Sequence, residues 1–128
     1  MEKRIAKPRP KHLELNKIRM PIQAIVSILH RVSGAGLFLL IPFLLDCLQA
    51  TLGSAEVFGS FKDFFANPLI KLILFGLSWA FMHHACAGVR YLFLDFHKGI
   101  DKVTTQTTSK IVVGVSLVLT LGIGAFIW

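Results

Sequence analysis

Cysteine is scarce in this sequence. The 128 residues contain two cysteines, Cys47 and Cys86, and neither belongs to a C-x-x-C or C-x-x-C-H motif. Covalent attachment of c-type haem requires the C-x-x-C-H motif, and iron–sulfur clusters are held by several cysteine thiolates. Both kinds of site are therefore excluded from this chain, and the two cysteines are expected to be small apolar residues in or near helices.

Charged residues are rare or absent in three long stretches. Hydrophobic residues make up 54% of the chain, and apolar runs cover roughly residues 22–45, 69–94 and 111–128. Each run is close to the length of about 20 residues with which an α-helix crosses about 30 Å of hydrocarbon. The sequence predicts an all-α membrane protein of one domain, residues 1–128, with a polar arm at 1–20. Its three transmembrane helices are expected at about 21–50, 68–97 and 110–128.

The two connections between these helices are expected to be loops. The first, GSAEVFGSFKDFFANP, is rich in glycine, serine and phenylalanine. Its phenylalanines are expected to lie along the outer membrane surface as a short amphipathic piece. The second, KGIDKVTTQTTS, is mostly polar and is expected to be a cytoplasmic loop.

The positive charge is distributed unevenly. Seven basic residues precede the first apolar run, whereas the first connection has only Lys62 and Lys71, and the second has Lys98, Lys102 and Lys110 in or beside it. Basic residues concentrate on the cytoplasmic side of membrane proteins. The N-terminus is therefore expected in the cytoplasm and the C-terminus in the periplasm. The net charge of +7 therefore indicates the orientation of the chain in the membrane and not nucleic-acid binding.

Polar residues inside two of the apolar runs recur at helical spacing. In the first helix, Ser27, His30, Arg31 and Gly34 follow an i, i+3, i+4, i+7 pattern; in the second, one face carries His84, Gly88, Tyr91 and Asp95. A charged side chain in a bilayer costs about 2.5–3.5 kcal/mol at mid-helix. Such residues face the bundle interior and are candidates for a functional site. Both faces lie roughly 15 Å from the cytoplasmic end of their helix, at 1.5 Å per residue.

A histidine one turn from a small residue, as in His84 and Gly88, is the arrangement expected of a haem axial ligand. Arg31 could pair with a haem propionate or hydrogen-bond a quinone carbonyl, and Ser27 adds a hydroxyl. Three alternatives remain open from the residues alone. His83 could be the ligand, a membrane histidine could only hydrogen-bond another helix, and Arg90 could extend toward the cytoplasmic surface.

Two segments, RPKHLELNKIRMPIQAIVSILHRVSG and HACAGVRYLFLDF, carry a resemblance to a known family. The motifs S-x-x-H-R-x-[ST]-G and H-x-x-x-G-x-R-x-x-x-x-D within them are specific. The chain resembles the cytochrome b-type membrane-anchor subunit of succinate dehydrogenase, respiratory complex II, over its whole length. This resemblance implies a single membrane-anchor domain in a heteromeric helix bundle of a bacterial inner membrane.

The resemblance also implies roles for matching residues. His84 corresponds to the axial ligand of a haem b that is shared with a second anchor subunit, Ser27 and Arg31 correspond to residues lining the ubiquinone site, and His30 and Arg31 correspond to groups near the haem propionates. Asp95, the acidic residue that closes the second helix, is expected to have a structural or interface role. Relatives often have histidine where this chain has Tyr91. No function is assigned to His83.

The implied partners are the second anchor subunit, an iron–sulfur subunit and a flavoprotein subunit, together with quinone and phospholipid. The implied activity is succinate:ubiquinone oxidoreduction, to which this chain contributes no flavin chemistry. A fumarate reductase anchor, another quinone-linked dehydrogenase anchor or a haem-free structural anchor are the alternatives. An ion channel is disfavoured because three helices would have to oligomerise to enclose a pore.

Overall fold

The computed structural model describes residues 17–127, which contain four helices and no strand. The helices are α1 (Ile22–Gly53), α2 (Ala55–Ala66), α3 (Pro68–Asp95) and α4 (Lys102–Ile127). By length and composition α1, α3 and α4 can each cross a membrane. The prediction of an all-α protein with three transmembrane helices is therefore confirmed. Most of the predicted arm at 1–20 lies outside the described residues.

The first helix begins and ends close to the predicted positions. The Pro21 carbonyl accepts the Ala24 and Ile25 backbone N–H groups at 3.0 and 3.3 Å, which starts α1. The helix continues through Pro42 and ends at Gly53, three residues beyond the predicted end. Because the residues after Leu45 remain mostly helix formers, the polar Asp46 does not end it.

The first connection is a helix and not a loop. The Ser54 hydroxyl accepts the Val57 N–H at 3.2 Å and caps α2, which contains the phenylalanines of this segment. Asn67 then caps α3: its side-chain oxygen accepts the Leu69 N–H at 2.9 Å, and Pro68 occupies the first turn. Each of these N-cap residues is the single residue between two successive helices, so no longer loop is needed at either junction.

The last helix begins at Lys102, eight residues before the predicted start at 110. The polar segment was expected to be a loop, but Asp101 is an N-cap whose carboxylate accepts the Thr104 N–H at 2.9 Å. The hydrogen bonds from the Thr104 side chain and backbone hold the pKa of Asp101 below its ordinary value of 3.8. Hydroxyls along this turn bond carbonyls of their own helix, as Ser109 does to Thr105 at 2.8 Å. These bonds satisfy the polar side chains locally, so the segment can be helical.

The end of α3 is a tight turn at Asp95, two residues before the predicted end. The His97 N–H donates to the Leu94 carbonyl at 2.9 Å, and the Lys98 N–H donates to the Phe93 carbonyl at 3.1 Å. His97 has a φ of 57°, the left-handed conformation that such helix ends require. This turn reverses the chain and directs Lys98 toward the side on which α4 packs.

A small core joins the three long helices. Val26 of α1, Ala87 of α3 and Val112 of α4 are buried against one another. On α4 the other buried residues are small and hydroxylated: Ser109, Ser116 and Thr120. Small residues allow transmembrane helices to approach closely. Most large apolar side chains outside this core are exposed, as expected for a chain surrounded by lipid or by other subunits.

Candidate functional site

The two predicted polar faces meet between α1 and α3. The imidazole rings of His30 and His84 stack with their centroids 4.2 Å apart and their planes 8° from parallel. Both side chains are half-buried. The equal depth that the sequence predicts for the two histidines therefore corresponds to a direct contact.

Each histidine lies against a glycine of the other helix. A Cβ atom added to Gly34 of α1 would lie 2.8 Å from Cε1 of His84, which is closer than real Cβ contacts. A Cβ atom added to Gly88 of α3 would lie 3.7 Å from Nε2 of His30. Gly34 therefore leaves the space that the His84 ring occupies, whereas Gly88 permits an ordinary contact with His30.

The hydrogen bonds of His84 determine which of its nitrogens carries a proton. Nδ1 lies 3.1 Å from the backbone carbonyl oxygen of His30. A carbonyl oxygen only accepts, so Nδ1 must donate its N–H. In the neutral imidazole Nε2 is then unprotonated and offers a lone pair. A carbonyl that orients a histidine in this way is typical of metal-ligating histidines.

Ser33 is part of this arrangement, although no role was predicted for it from the sequence. Its hydroxyl donates to the His30 carbonyl at 3.0 Å and lies 3.3 Å from His84 Nδ1. The signal that could have indicated it is its position in the S-x-x-H-R-x-[ST]-G motif, directly before Gly34. Ser33 and the His30 carbonyl together hold the Nδ1 edge of His84.

Ser27 and Arg31 lie on the same side of α1 as His30 but are not bonded to the histidine pair. Ser27 is half-buried and Arg31 is exposed. Within residues 17–127, neither side chain makes a hydrogen bond or an ion pair. A guanidinium without a counter-charge on a transmembrane helix is costly, so a group from outside this chain is needed beside Arg31.

The histidine pair continues into a row of stacked side chains. The Tyr91 ring lies 5.1 Å from the His30 ring at 52°, and Cζ of Arg90 lies 5.5 Å from the Tyr91 ring centroid. Tyr91 thus contacts His30, as its place on the His84 face predicts. Asp95, on the same predicted face, is exposed at the last residue of α3.

Arg90 does not extend toward the membrane surface, one of the alternatives that the sequence left open. It is 7% exposed and turns toward α4. Its Nε donates to the Thr108 hydroxyl at 3.0 Å, and its Nη2 donates to the Thr105 carbonyl at 3.4 Å. The hydroxyl-rich first turns of α4 supply these acceptors, which explains why Arg90 is stable inside the bundle.

His83 is buried, whereas its neighbour His84 is half-buried. It is 1% exposed, its ring packs beside Trp79 at 5.6 Å, and neither ring nitrogen has a hydrogen-bond partner among the described residues. A group bound at the surface of this chain is closer to the half-buried His84 than to the enclosed His83. The geometry therefore favours His84 over its neighbour.

The described residues contain no group of three or more histidine, cysteine or acidic side chains that could hold a metal ion alone. One oriented histidine does fit an iron that is already held in a macrocycle and shared with a second chain. The molecule therefore belongs to the class of helical membrane proteins with a polar histidine site between transmembrane helices.

Comparisons with known proteins identify the family. Residues 5–123 match the family described as succinate dehydrogenase/fumarate reductase transmembrane subunit. The chain is 33% identical over 121 residues to a succinate dehydrogenase cytochrome b556 subunit of Coxiella burnetii, covering 94% of this chain and 97% of that protein. Proteins of the same name from Rickettsia felis and Paracoccus denitrificans are 31% and 32% identical, covering 90% and 87% of this chain and 88% and 85% of their own lengths.

The chain belongs to the succinate dehydrogenase/fumarate reductase transmembrane subunit family, so the resemblance seen in the sequence is confirmed. It is a membrane subunit of an enzyme complex in this family. The expected location, as a multi-pass protein of a bacterial inner membrane, agrees with the three spans and with the bacterial relatives. The orientation of its termini stays a prediction.

Proposed function

We propose that this chain is the membrane-anchor subunit of a succinate:ubiquinone oxidoreductase, in which it contributes one axial ligand of a b-type haem and part of the quinone-reduction site. The observation that carries the proposal is the hydrogen bond from His84 Nδ1 to the His30 carbonyl, because it leaves Nε2 free to bind iron. The name cytochrome b556 of the relatives supports a b-type haem.

His84 would hold the haem iron, while His30 and Arg31 would bind the propionates. Haem b, when bound, supplies a carrier for one electron. The chain's own residues set its position: Ser33 and the His30 carbonyl fix the His84 ring, and Gly34 leaves room for it. A second histidine would come from a second anchor subunit, since this chain presents one accessible, oriented imidazole.

Ser27 and Arg31 would bind the quinone. Their donors are unused within residues 17–127, and they lie one helical turn apart on α1. Both can donate to a carbonyl oxygen of the quinone ring, and the guanidinium stabilises the negative charge that builds up there during reduction. The quinone oxygen and a propionate in turn offset the cost of placing Arg31 in the membrane.

The complete enzyme would contain this chain, the second anchor, an iron–sulfur subunit and a flavoprotein subunit. The flavoprotein would oxidise succinate, and the iron–sulfur subunit would pass electrons to quinone at the cytoplasmic end of the bundle. The family also includes fumarate reductase subunits. The direction of electron transfer is decided by comparing the rate of succinate-dependent ubiquinone reduction with the rate of fumarate-dependent menaquinol oxidation.

The first test is a reduced-minus-oxidised absorption spectrum of the purified complex. We expect a b-type band after addition of succinate, together with co-purifying soluble subunits. A band with dithionite but not with succinate would mean that the haem has a low reduction potential or serves another dehydrogenase. If neither reductant gives a band, the assignment of His84 as a haem ligand is wrong, and the hypothesis of a haem-free structural anchor replaces it.

The second test separates the ligand from its neighbour. His84→Ala should remove or strongly perturb the haem band, whereas His83→Phe, which fills the same enclosed space, should leave the band in place. Assembly is checked by co-purification of the soluble subunits. A normal haem band in the His84→Ala complex would transfer the ligand role to another residue.

The third test addresses the quinone residues. Ser27→Ala and Arg31→Ala should lower quinone reduction by about tenfold or more, because a lost transition-state hydrogen bond of about 1.4 kcal/mol or more has that effect. Succinate oxidation by a soluble dye should remain nearly normal. Ser60→Ala, on α2, is the control for a serine outside the site. Equal loss of both activities would indicate failed assembly and contradict the quinone role.

A further inference from the structure

The single tyrosine of the chain, Tyr91, has a hydroxyl group that makes no hydrogen bond within residues 17–127. We propose that this hydroxyl donates a hydrogen bond to a carboxylate that Tyr91 binds together with His30. The inference rests on the proposed function, in which the carboxylate is a propionate of the haem. It adds to His30 and Arg31 a third residue, for which the resemblance to the family implies no role.

Tyr91 lies beside the histidine pair, on the side nearer to the end of α3. The helices α1 and α3 run in opposite directions: Gly34 lies against His84, whereas His30, one turn earlier in α1, lies against Gly88. Tyr91 follows Gly88 by one turn, and its ring centroid is 5.1 Å from that of His30 with the planes tilted by 52°. The His30 ring therefore contacts two rings of α3, those of His84 and Tyr91.

The polar atoms of the His30 and Tyr91 rings are open to a ligand. Neither ring nitrogen of His30 makes a hydrogen bond within residues 17–127, and these nitrogens and the Tyr91 hydroxyl are absent from the buried polar atoms there. Both ring nitrogens of His83, in contrast, are buried. An O–H or N–H group without a partner is costly in the hydrocarbon region of a membrane. The two neighbouring side chains therefore fit an oxygen acceptor from outside the chain.

The charge around these two rings favours an acceptor with negative charge. Cζ of Arg90 lies 5.5 Å from the Tyr91 ring centroid, and the bonds of Arg90 to α4 are to a neutral hydroxyl and a neutral carbonyl. Arg31 follows His30 directly, and neither arginine forms an ion pair within the described residues. Hydrogen bonds to an ionised acceptor are roughly twice as strong as those to a neutral one. A carboxylate therefore suits this place better than a neutral carbonyl does.

A hydrogen bond from Tyr91 to a propionate should raise the reduction potential of the haem. The negative charge of a propionate stabilises the oxidised haem, and a hydrogen bond offsets part of that charge. Tyr91→Phe removes the hydroxyl and keeps the ring beside His30. We expect this variant to lower the equilibrium constant for haem reduction about threefold, which is about 28 mV at about 59 mV per tenfold for one electron.

The test is a redox titration of the haem in the purified complex, with co-purification of the soluble subunits as the check of assembly. The resonance Raman spectrum of the same samples gives a second readout, because the bending band of the propionates responds to their hydrogen bonds. Tyr91→His keeps a donor and should retain a potential at or above that of the wild type. Thr107→Val is the matched control: it removes a hydroxyl that bonds only its own helix, and should change neither readout.

The results separate this inference from the function on which it rests. A Tyr91→Phe complex that contains haem, with an unchanged potential and an unchanged propionate band, would overturn the role of the hydroxyl and leave the haem assignment intact. A higher KM for ubiquinone with an unchanged haem would overturn it too, because the hydroxyl would then bind the quinone. So would equal shifts in Thr107→Val. A wild-type complex without a haem band would overturn the proposed function and this inference together.

Discussion

A glycine decides how closely the His84 ring of the candidate site can approach α1. Gly34 lies under the His84 ring, and the space it leaves is smaller than a methyl group would need. The ring also stacks on His30, and a carbonyl and a hydroxyl lie along its Nδ1 edge. The His84 ring therefore has one orientation in the fold, and this orientation sets the direction in which Nε2 would bind iron.

Replacing Gly34 should disturb this orientation of the His84 ring. Gly34→Ala is expected to shift the His84 ring and so to lower haem content or alter the absorption and electron spin resonance spectra of the complex. Gly36→Ala is the matched control, because a Cβ there meets nothing within 4 Å. Identical spectra for the Gly34→Ala and wild-type complexes would show that the ring can move without consequence.

At the scale of elements, the start of α4 is the least obvious feature of the chain. A segment of threonines becomes two turns of helix because Asp101 caps it and because hydroxyls bond carbonyls one turn earlier. Those turns then supply the acceptors for Arg90 of α3. The α3–α4 interface thus depends on polar groups at one end and on small residues along its length.

The Asp101 cap should give the complex an acid-sensitive contribution to stability. The folded-state pKa of Asp101 lies below its ordinary value of 3.8. The carboxylate therefore contributes fully to the free energy of unfolding above about pH 3.8, and this contribution is lost as the pH falls through the folded-state pKa. Asp101→Ala should lower the melting temperature at pH 7, and Asp101→Asn, which keeps a capping acceptor, should lower it less. A difference between wild type and Asp101→Ala that persists undiminished in acid would contradict the role of the carboxylate.

The bond from Arg90 to α4 can be tested with neighbouring threonines. Thr108→Val removes the hydroxyl that accepts from Arg90 Nε and should destabilise the complex by about 1.5–3 kcal/mol, the range for a hydrogen bond to a charged group. Thr107→Val is the control, since the Thr107 hydroxyl bonds only the Val103 carbonyl of its own helix. Melting temperatures that fall equally in both variants would mean that the Arg90 contact adds nothing.

For the whole molecule, the small core explains why the chain is one part of a larger bundle. Val26, Ala87 and Val112 are the buried apolar residues among those described, and large apolar side chains cover much of the remaining surface. Lipid can cover apolar surface, but it cannot satisfy the exposed Arg31 at mid-helix. The molecule therefore needs a membrane around it and, beside Arg31, a polar or charged group that lipid chains do not supply.

The topology predicted from the basic residues can be tested on the whole chain. In a background with Cys47 and Cys86 replaced by alanine, Glu56→Cys in α2 should react with a membrane-impermeant thiol reagent added outside the inner membrane. Lys102→Cys at the start of α4 should react only after the membrane is opened. Both positions are exposed, so accessibility within the protein is matched. The reverse pattern would place the N-terminus in the periplasm.

The sequence by itself determined the three spans, the family and the meeting of two polar faces. Apolar length reports a membrane crossing directly, and the i, i+3, i+4, i+7 spacing of Ser27, His30, Arg31 and Gly34 fixes a helix face before any packing is known. The segment at 102–109 was predicted poorly, because threonine and serine have low helix propensity unless a cap and a partner helix favour the helical form.

Spacing alone did not separate adjacent residues: the resemblance preferred His84 to His83, and only the tertiary structure showed a physical difference between them. His83 and His84 are indistinguishable by composition, but the rotation of α3 encloses the first and places the second over Gly34. The same rotation of α3 places Arg90 at the interface with α4 and the Nδ1 edge of His84 beside Ser33 of α1. The physical reason is that 100° of helix rotation separates neighbouring residues, and the packing of the other helices sets which of them faces the interior.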